Sequence, residues 1–356
     1  GVMSKEDLLQ EYKNIIAIIK ETLEKETNGE WKTRYENYHK KILSNQSLIC
    51  NMRRSFRIRA PLCAYFSVSR ALQGSNYGKA VFDIRYQGQS VAEVLVEKAN
   101  NSSNGNSNFS VWLVVDKKKQ FNNKRDFHFT LDEDVPKLKV SWRDSEEAKL
   151  FRKFFADEPQ RSQNAKRRNQ EHKVESEILT DMLKTSAVGK NLLHFQPVLL
   201  CGARFQMPTP FMASQIKDGI ITYAAEKGGG IDILARTGTG GRNTTLCVIE
   251  VKDENKSKES PQVAMKQAIA YATFIWKLLR DKDNGQAWWS LFGFSQKPHE
   301  NLIIYPTVAM PKGKKDEIFP GEEIVLDEKD KLKLQYIYID TNSDKSSKGT
   351  FVAASK

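Results

Sequence analysis

The sequence predicts a mixed α/β protein of two domains, and three observations carry that prediction. A chain of 356 residues exceeds the length at which a single hydrophobic core usually stops growing. In both halves, short segments rich in β-branched and aromatic residues alternate with stretches of helical periodicity. Between the halves, residues 157–170 (DEPQRSQNAKRRNQ) are polar, lack apolar periodicity and read as an interdomain linker. The expected division is an α+β domain over residues 1–160 and a second domain over 161–356.

The elements follow in order. In residues 5–26, Leu8, Leu9, Ile15, Ile16, Ile18, Ile19 and Leu23 recur at helical spacing among charged residues. A second helix is expected from Trp31 to Leu43. Strands are expected over Phe56–Phe66, Ala80–Tyr86, Val91–Val96, Val111–Val115, Phe127–Leu131 and Leu138–Trp142, with a flexible hairpin loop at Asn100–Asn108. Residues 145–156 read as a closing helix, with Ser145 as cap and Glu146 and Glu147 in its first turn. Beyond the linker come a helix over 171–184, extended segments at Phe195–Leu200 and Ala203–Gln206, and a stretch without a clear assignment. Then follow a strand from Ile231, a Gly-rich turn over 237–244, a strand over Leu246–Lys252, a helix over Ser260–Arg280, and strands at Leu302–Ala309 and Leu334–Ile339.

Composition excludes some classes. Hydrophobic residues at 39% and charged residues at 28% argue for a globular chain rather than a disordered one. No apolar run is long enough to span a bilayer, and no secretory leader is visible, so a cytoplasmic protein without membrane contact is expected. Cys50, Cys63, Cys201 and Cys247 form no CxxC pair and read as buried free thiols. The net charge of +12 favours a polyanionic partner, because neutralising phosphates releases condensed counterions.

The chemistry concentrates in residues 228–256 (GGGIDILARTGTGGRNTTLCVIEVKDENK). In a strand, Glu250 and Lys252 point to one face and Val251 to the other. A hairpin brings Asp232 toward Glu250. Two carboxylates offer hard oxygen ligands suited to Mg²⁺, and an adjacent lysine can orient a nucleophilic water or offset charge on a phosphate. A salt-bridged strand surface is the structural alternative for these charges.

The pattern resembles the PD-(D/E)xK (restriction-endonuclease-like) nuclease superfamily. Gly230-Ile231-Asp232 is followed by Glu250-Val251-Lys252 and then by Gln267-Ala268-Ile269-Ala270-Tyr271, which is similar to the QxxxY motif of the exonuclease-like and RecB-like branches. Ile231 stands where many members carry proline. The resemblance covers roughly residues 170–340 and implies an α-β-β-β-α-β core. It also implies Mg²⁺, with Mn²⁺ as a substitute, held by Asp232, Glu250 and the Val251 carbonyl. Lys252 would activate water, with Gln267 and Tyr271 in support. Glu175, with Glu171 as the alternative, is the further metal ligand that the family places on its first helix. The implied activity is hydrolysis of phosphodiesters in nucleic acid, DNA before RNA, and a homodimer would suit cutting of two strands. The alternative is a nuclease-fold scaffold or nucleic-acid-binding protein without turnover.

Other motifs are weaker. The sequence GTGGRNTT lacks a Walker lysine, and Gly228–Gly230 precede a strand, so both read as turns. Trp288, Trp289, Phe292 and Phe294 read as packing under a loop rather than as a base-stacking surface. The alternating Met52–Arg59 segment reads equally as a basic stripe on a sheet face or as a charged edge strand.

Overall fold

The structure, a computed structural model, describes residues 3–59, 62–68, 72–73, 78–86, 89–99, 108–116, 137–156, 195–213, 216, 219–237, 244–252, 260–295, 297–311, 319–339 and 351–354. The expected linker over 157–170, the helix over 171–184, the strand over 127–131, most of the Asn100–Asn108 loop and most of the Gly-rich turn over 237–244 lie outside the described residues. The fold is mixed α/β, as the alternation of patterns predicts.

Two compact units form, and they interleave in sequence: Gly1–Lys40, Glu177–Val198 and Gln206–Lys356 make one, Lys41–Ser176 and Leu199–Phe205 the other. Residues 1–40 therefore belong with the C-terminal half, whereas the sequence division grouped them with residues 41–160.

Helices α1 (Lys5–Glu24) and α2 (Glu30–Ser44) open the chain. Ser4 caps α1, its side chain accepting from the Asp7 amide at 3.2 Å, and Glu6 and Asp7 complement the positive end of the helix dipole. Leu8, Tyr12, Ile15, Ile16, Ile19 and Leu23 form its buried face. That face meets a later helix of the same unit, α5 (Pro261–Leu279). The Tyr12 hydroxyl donates to the Gln262 carbonyl at 3.0 Å, and Trp31 of α2 meets Phe274 edge-on with centroids 5.8 Å apart. Each such large side chain, fully buried, is worth about 1.5–3 kcal/mol of transfer free energy.

The second unit carries α3 (Gln46–Arg54), β1 (Leu62–Ser67), β2 (Leu72–Gln73), β3 (Lys79–Tyr86), β4 (Gln89–Lys98), β5 (Phe109–Asp116), β6 (Lys137–Ser141) and α4 (Glu146–Ala156). Strands β3 to β6 form an antiparallel meander in which burial alternates along β3 and β5, the period-two signature of a sheet with one packed face. Strand β7 (Phe195–Pro197) belongs to the first unit; β8 (Leu199–Leu200) and β9 (Ala203–Gln206) complete the meander's sheet beside β1. Cys201 and Gly202 join β8 to β9 with φ of 52° and 83°, the positive values that a two-residue hairpin favours.

Two expectations are corrected in this unit. Cys50 and Cys201 are joined by a disulfide, with Cα atoms 5.1 Å apart, so only Cys63 and Cys247 match the free-thiol reading. Residues 52–54 finish helix α3 and 55–59 form no strand, so the basic alternation lies on no sheet face. Phe56 instead packs edge-on against Phe82, with centroids 5.1 Å apart.

In the first unit, β7, β10 (Ile233–Thr237) and β11 (Thr245–Val251) pair antiparallel. Helix α5 then crosses over the sheet and returns the chain, through α6 (Gly285–Leu291), to β12 (Ile303–Pro311), which runs parallel to β11. The segments β13 (Glu323–Val325), β14 (Lys331–Lys333), β15 (Gln335–Ile339) and β16 (Phe351–Ala354) extend the sheet beyond β12. Every residue of β11 is buried, as befits a central strand covered on both faces. Helix α5 is buried almost all round because it lies between α1 and strands β11 and β12; Ala264, Ala268 and Ala272 keep it slim. Trp288 and Trp289, fully buried in and around α6, are packing residues, and base stacking by them is ruled out by that burial.

Among the described residues, no helix is long and apolar enough to cross a membrane.

Candidate functional site

The register of the β10–β11 hairpin determines what meets what. Ile233 pairs with Ile249, and the ladder continues to Thr237 opposite Thr245. Asp232 lies one residue past its open end, where a continued register would set it against Glu250. Directly opposed residues of an antiparallel pair present their side chains to the same face. The Asp232 carboxylate (Oδ2) accepts from the Val251 amide at 2.9 Å, which closes the hairpin end. The next amide along, that of Lys252, donates to the Ala309 carbonyl of β12 at 2.8 Å. The backbone carrying Glu250 and Lys252 is thus held from both sides.

Glu250 and Lys252 share a face, and Lys252 Nζ stands 3.5 Å from Glu250 Oε1, with side chains only 10% and 8% exposed for Lys252 and Glu250. Val251, between them, is buried on the opposite side. A charged pair buried this deeply is costly unless its members are partnered, and their 3.5 Å approach supplies one partner to each.

Helix α5 brings the third group. Gln267 and Tyr271, one turn apart, are both buried. Burial pushes the Tyr271 phenol above its ordinary pKa, and the negative charges of Glu250 and Asp232 push it further; the Thr209 side chain and the Ala213 backbone pull the other way as hydrogen-bond partners. The phenol therefore stays protonated and able to donate.

The stretch that the sequence left unassigned completes the surroundings. Residues 207–211 lie against 229–231: the Thr209 amide donates to the Gly229 carbonyl at 2.8 Å, the Gly229 amide to the Phe211 carbonyl at 2.6 Å, and the Ile231 amide to the Met207 carbonyl at 3.0 Å. Thr209 Oγ1 adds a bond to the Gly229 carbonyl at 2.6 Å. Gly228 and Gly229 are thus not turn glycines. A Cβ on Gly228 would run into the Thr209 carbonyl, and one on Gly229 into the Tyr271 hydroxyl, so both positions require close backbone approach. Thr209 and Gly229 are site residues that sequence reasoning missed; the run of three glycines beside Asp232 was the available signal.

Asp232, Glu250, Lys252 and Tyr271 therefore meet at one end of the β10–β11 hairpin, with Gln267 one turn away on α5. Glu175 and its alternative Glu171 lie outside the described residues. Among the described residues, no group of three or more His, Cys, Asp or Glu side chains is placed to hold a metal ion. The donors present are two carboxylates, which suit a hard divalent cation, with one lysine offsetting half their charge. Compared with family models, with curated proteins and with solved structures, the chain matches none.

Proposed function

We propose that this protein is a metal-dependent nuclease that hydrolyses phosphodiester bonds of nucleic acid, DNA before RNA. The observation that carries the reading is the convergence of Asp232 with Glu250 and Lys252, eighteen or more residues away in sequence, at the hairpin end where Asp232 accepts from the Val251 amide. The strand order supports it: three antiparallel strands, a crossover helix and a fourth strand parallel to the third match the β-β-β-α-β portion of the PD-(D/E)xK core.

In this reading Asp232 and Glu250 hold Mg²⁺ or Mn²⁺, with the Val251 carbonyl as a further ligand. Such an ion, when bound, supplies Lewis acidity toward a phosphoryl oxygen and acidifies water. Lys252 places a fixed positive charge where the phosphate's negative charge grows, and it orients the attacking water. Tyr271, kept protonated by burial and its two acidic neighbours, donates a hydrogen bond into the same site. Gln267 supports Lys252 from the adjacent turn of α5.

A second reading, a nuclease-fold binding protein without turnover, draws on the low exposure of Glu250 and on its pairing with Lys252, which already satisfies the strand charges internally. One experiment separates them. Labelled single- and double-stranded DNA and RNA are incubated with the protein in Mn²⁺, Mg²⁺ or EDTA, beside Lys252→Ala. Cleavage that needs the ion and the lysine supports the nuclease. Retention of nucleic acid without cleavage under any condition favours the second reading.

A further inference from the structure

The second unit contains a cavity of about 730 Å³ whose described lining residues all belong to that unit. Three pieces of chain line it: the end of α3 with the irregular segment after it, the turn following β6, and the last turns of α4. Among the described residues, its cationic side chains are Arg54, Arg57, Arg59, Arg143, Arg152 and Lys153, and none of the described lining residues is acidic. Among the described residues none of these six is ion-paired with a carboxylate.

Six like charges around one concavity repel one another, and low-dielectric walls focus their field. Five of the six are exposed, so solvent relieves part of this repulsion, and a bound anion would relieve more. The remaining lining gives the ligand its second property. Phe56, Leu62, Trp142 and Phe155 are buried and form an apolar wall. Two of the arginines also hold that wall in place. Arg152 lies over the Trp142 ring, 4.8 Å from its centroid, and donates to the Trp142 carbonyl; Arg143 donates to the Ser55 carbonyl and so ties the turn after β6 to the end of α3. Burial without a carboxylate partner pulls the Arg152 pKa below its usual value, a cost that a bound anion reverses.

We infer that this cavity binds an organic phosphate of nucleotide size, its phosphate held by the arginine cluster. Guanidinium groups recognise phosphate oxygens through paired hydrogen bonds, which accounts for arginine at five of the six cationic positions. The volume falls within the ~300–1,000 Å³ of sites for small organic ligands and far exceeds what a lone phosphate fills. A free mononucleotide and the terminal nucleotide of a strand both present that chemistry. The inference uses none of the residues of the β10–β11 site and does not depend on nuclease activity.

Isothermal titration of the full chain in EDTA tests it, so that the outcome is independent of any metal-dependent reaction. The probes are adenosine 5′-monophosphate, a 5′-phosphorylated single-stranded tetranucleotide, the same tetranucleotide without its phosphate, and inorganic phosphate. Binding of either phosphorylated nucleotide probe, at least tenfold tighter than inorganic phosphate, supports the site. Preference for the phosphorylated tetranucleotide over the mononucleotide identifies a strand end as the source, and the reverse identifies a free nucleotide. Arg57→Glu and Lys153→Glu, both at exposed positions, should each weaken that binding at least tenfold, while Lys40→Glu, which removes the same charge elsewhere, should change it less than threefold. Failure of both phosphorylated probes to bind overturns the proposal. So does equal affinity with and without the phosphate, or equal loss in all three variants.

Discussion

The Asp232 carboxylate accepts a hydrogen bond from the Val251 amide, 2.9 Å away, and so sits between the residues that carry the other two charges of the site. This single bond gives Asp232 both a structural and a chemical role, and substitutions can part them. Asparagine keeps an oxygen acceptor for the amide but loses the charge. Asp232→Asn should therefore melt within about 0.5 kcal/mol of wild type, as an isosteric change with its hydrogen bond intact does, while Asp232→Ala loses about 1 kcal/mol with the bond. If Mg²⁺ binds at this end of the hairpin, a hundredfold excess over its dissociation constant stabilises wild type by about 2.7 kcal/mol, and both variants should lose that gain. Thermal melts with and without Mg²⁺ read all three values. A metal-induced gain that survives in Asp232→Asn would place the ion elsewhere.

Lys252 is predicted to act through charge rather than bulk. Its removal takes from the Glu250 carboxylate, only 8% exposed, the ammonium 3.5 Å away. Breaking a buried pair costs about 3–5 kcal/mol. The 3.5 Å separation is looser than a direct charge-assisted bond, so about 2 kcal/mol is expected for Lys252→Ala. Adding Glu250→Gln should recover most of that loss, because the uncompensated charge goes too. A double-mutant cycle by chemical denaturation measures the coupling, and strict additivity of the two substitutions would deny it.

Much of this site was legible because its signals are local and periodic. Glu250 and Lys252 announce themselves by strand alternation, and Gln267 and Tyr271 by one helical turn. Asp232 needed only a hairpin, whose ladder ends one residue short of it. What escaped notice depends on contacts distant in sequence. Thr209 and Gly229 matter because residues 207–211 lie against 229–231, and glycines preceding a strand look like turn residues until the approaching backbone is known. The Cys50–Cys201 disulfide spans 151 residues and leaves no spacing motif. Segment 52–59 misled for a different reason: basic and apolar residues alternating across the end of a helix mimic the period of a strand, and only packing of Phe56 against Phe82 decides the matter. The placement of residues 1–40 with the C-terminal half depends on α1 covering α5, which no amphipathic pattern can assign to a particular partner.

Gly229 gives a test of the packing that holds Tyr271 in the site. A methyl group there collides with the Tyr271 hydroxyl but lies 3.6 Å from the ring carbon that bears it, an ordinary contact. Gly229→Ala should therefore displace the phenol and destabilise by about 1–3 kcal/mol, the usual cost of overpacking. Tyr271→Phe removes the colliding oxygen. The combination Gly229→Ala/Tyr271→Phe should then be more stable than Gly229→Ala alone, despite carrying one more substitution. Calorimetric melting of the four proteins checks this; a double variant less stable than Gly229→Ala would mean that another contact at Gly229 dominates.

Asp330 offers a pH test in a part of the same unit away from the chemistry. It is almost fully buried, and burial alone would raise its pKa. Four donors outweigh that effect and lower it: Arg280 gives Nε to Oδ2 at 2.6 Å and Nη2 to Oδ1 at 2.7 Å, Trp276 gives its indole N–H to Oδ2 at 2.8 Å, and the Leu302 amide donates to Oδ1 at 2.8 Å. This carboxylate thus ties the end of α5 to the start of β12. Because the folded pKa lies below the unfolded one, the stabilisation is fully present above the ordinary carboxylate value of about 3.9 and is lost as pH falls through the folded value. Asp330→Asn should cost about 3–5 kcal/mol at neutral pH, since Arg280 is left without its buried counter-charge. Below about pH 4 the gap between wild type and variant should narrow, as protonated Asp330 comes to resemble asparagine. Denaturant melts from pH 7 to pH 3 measure the gap, and one that stays constant across that range would show that Asp330 holds its partners by geometry without its charge.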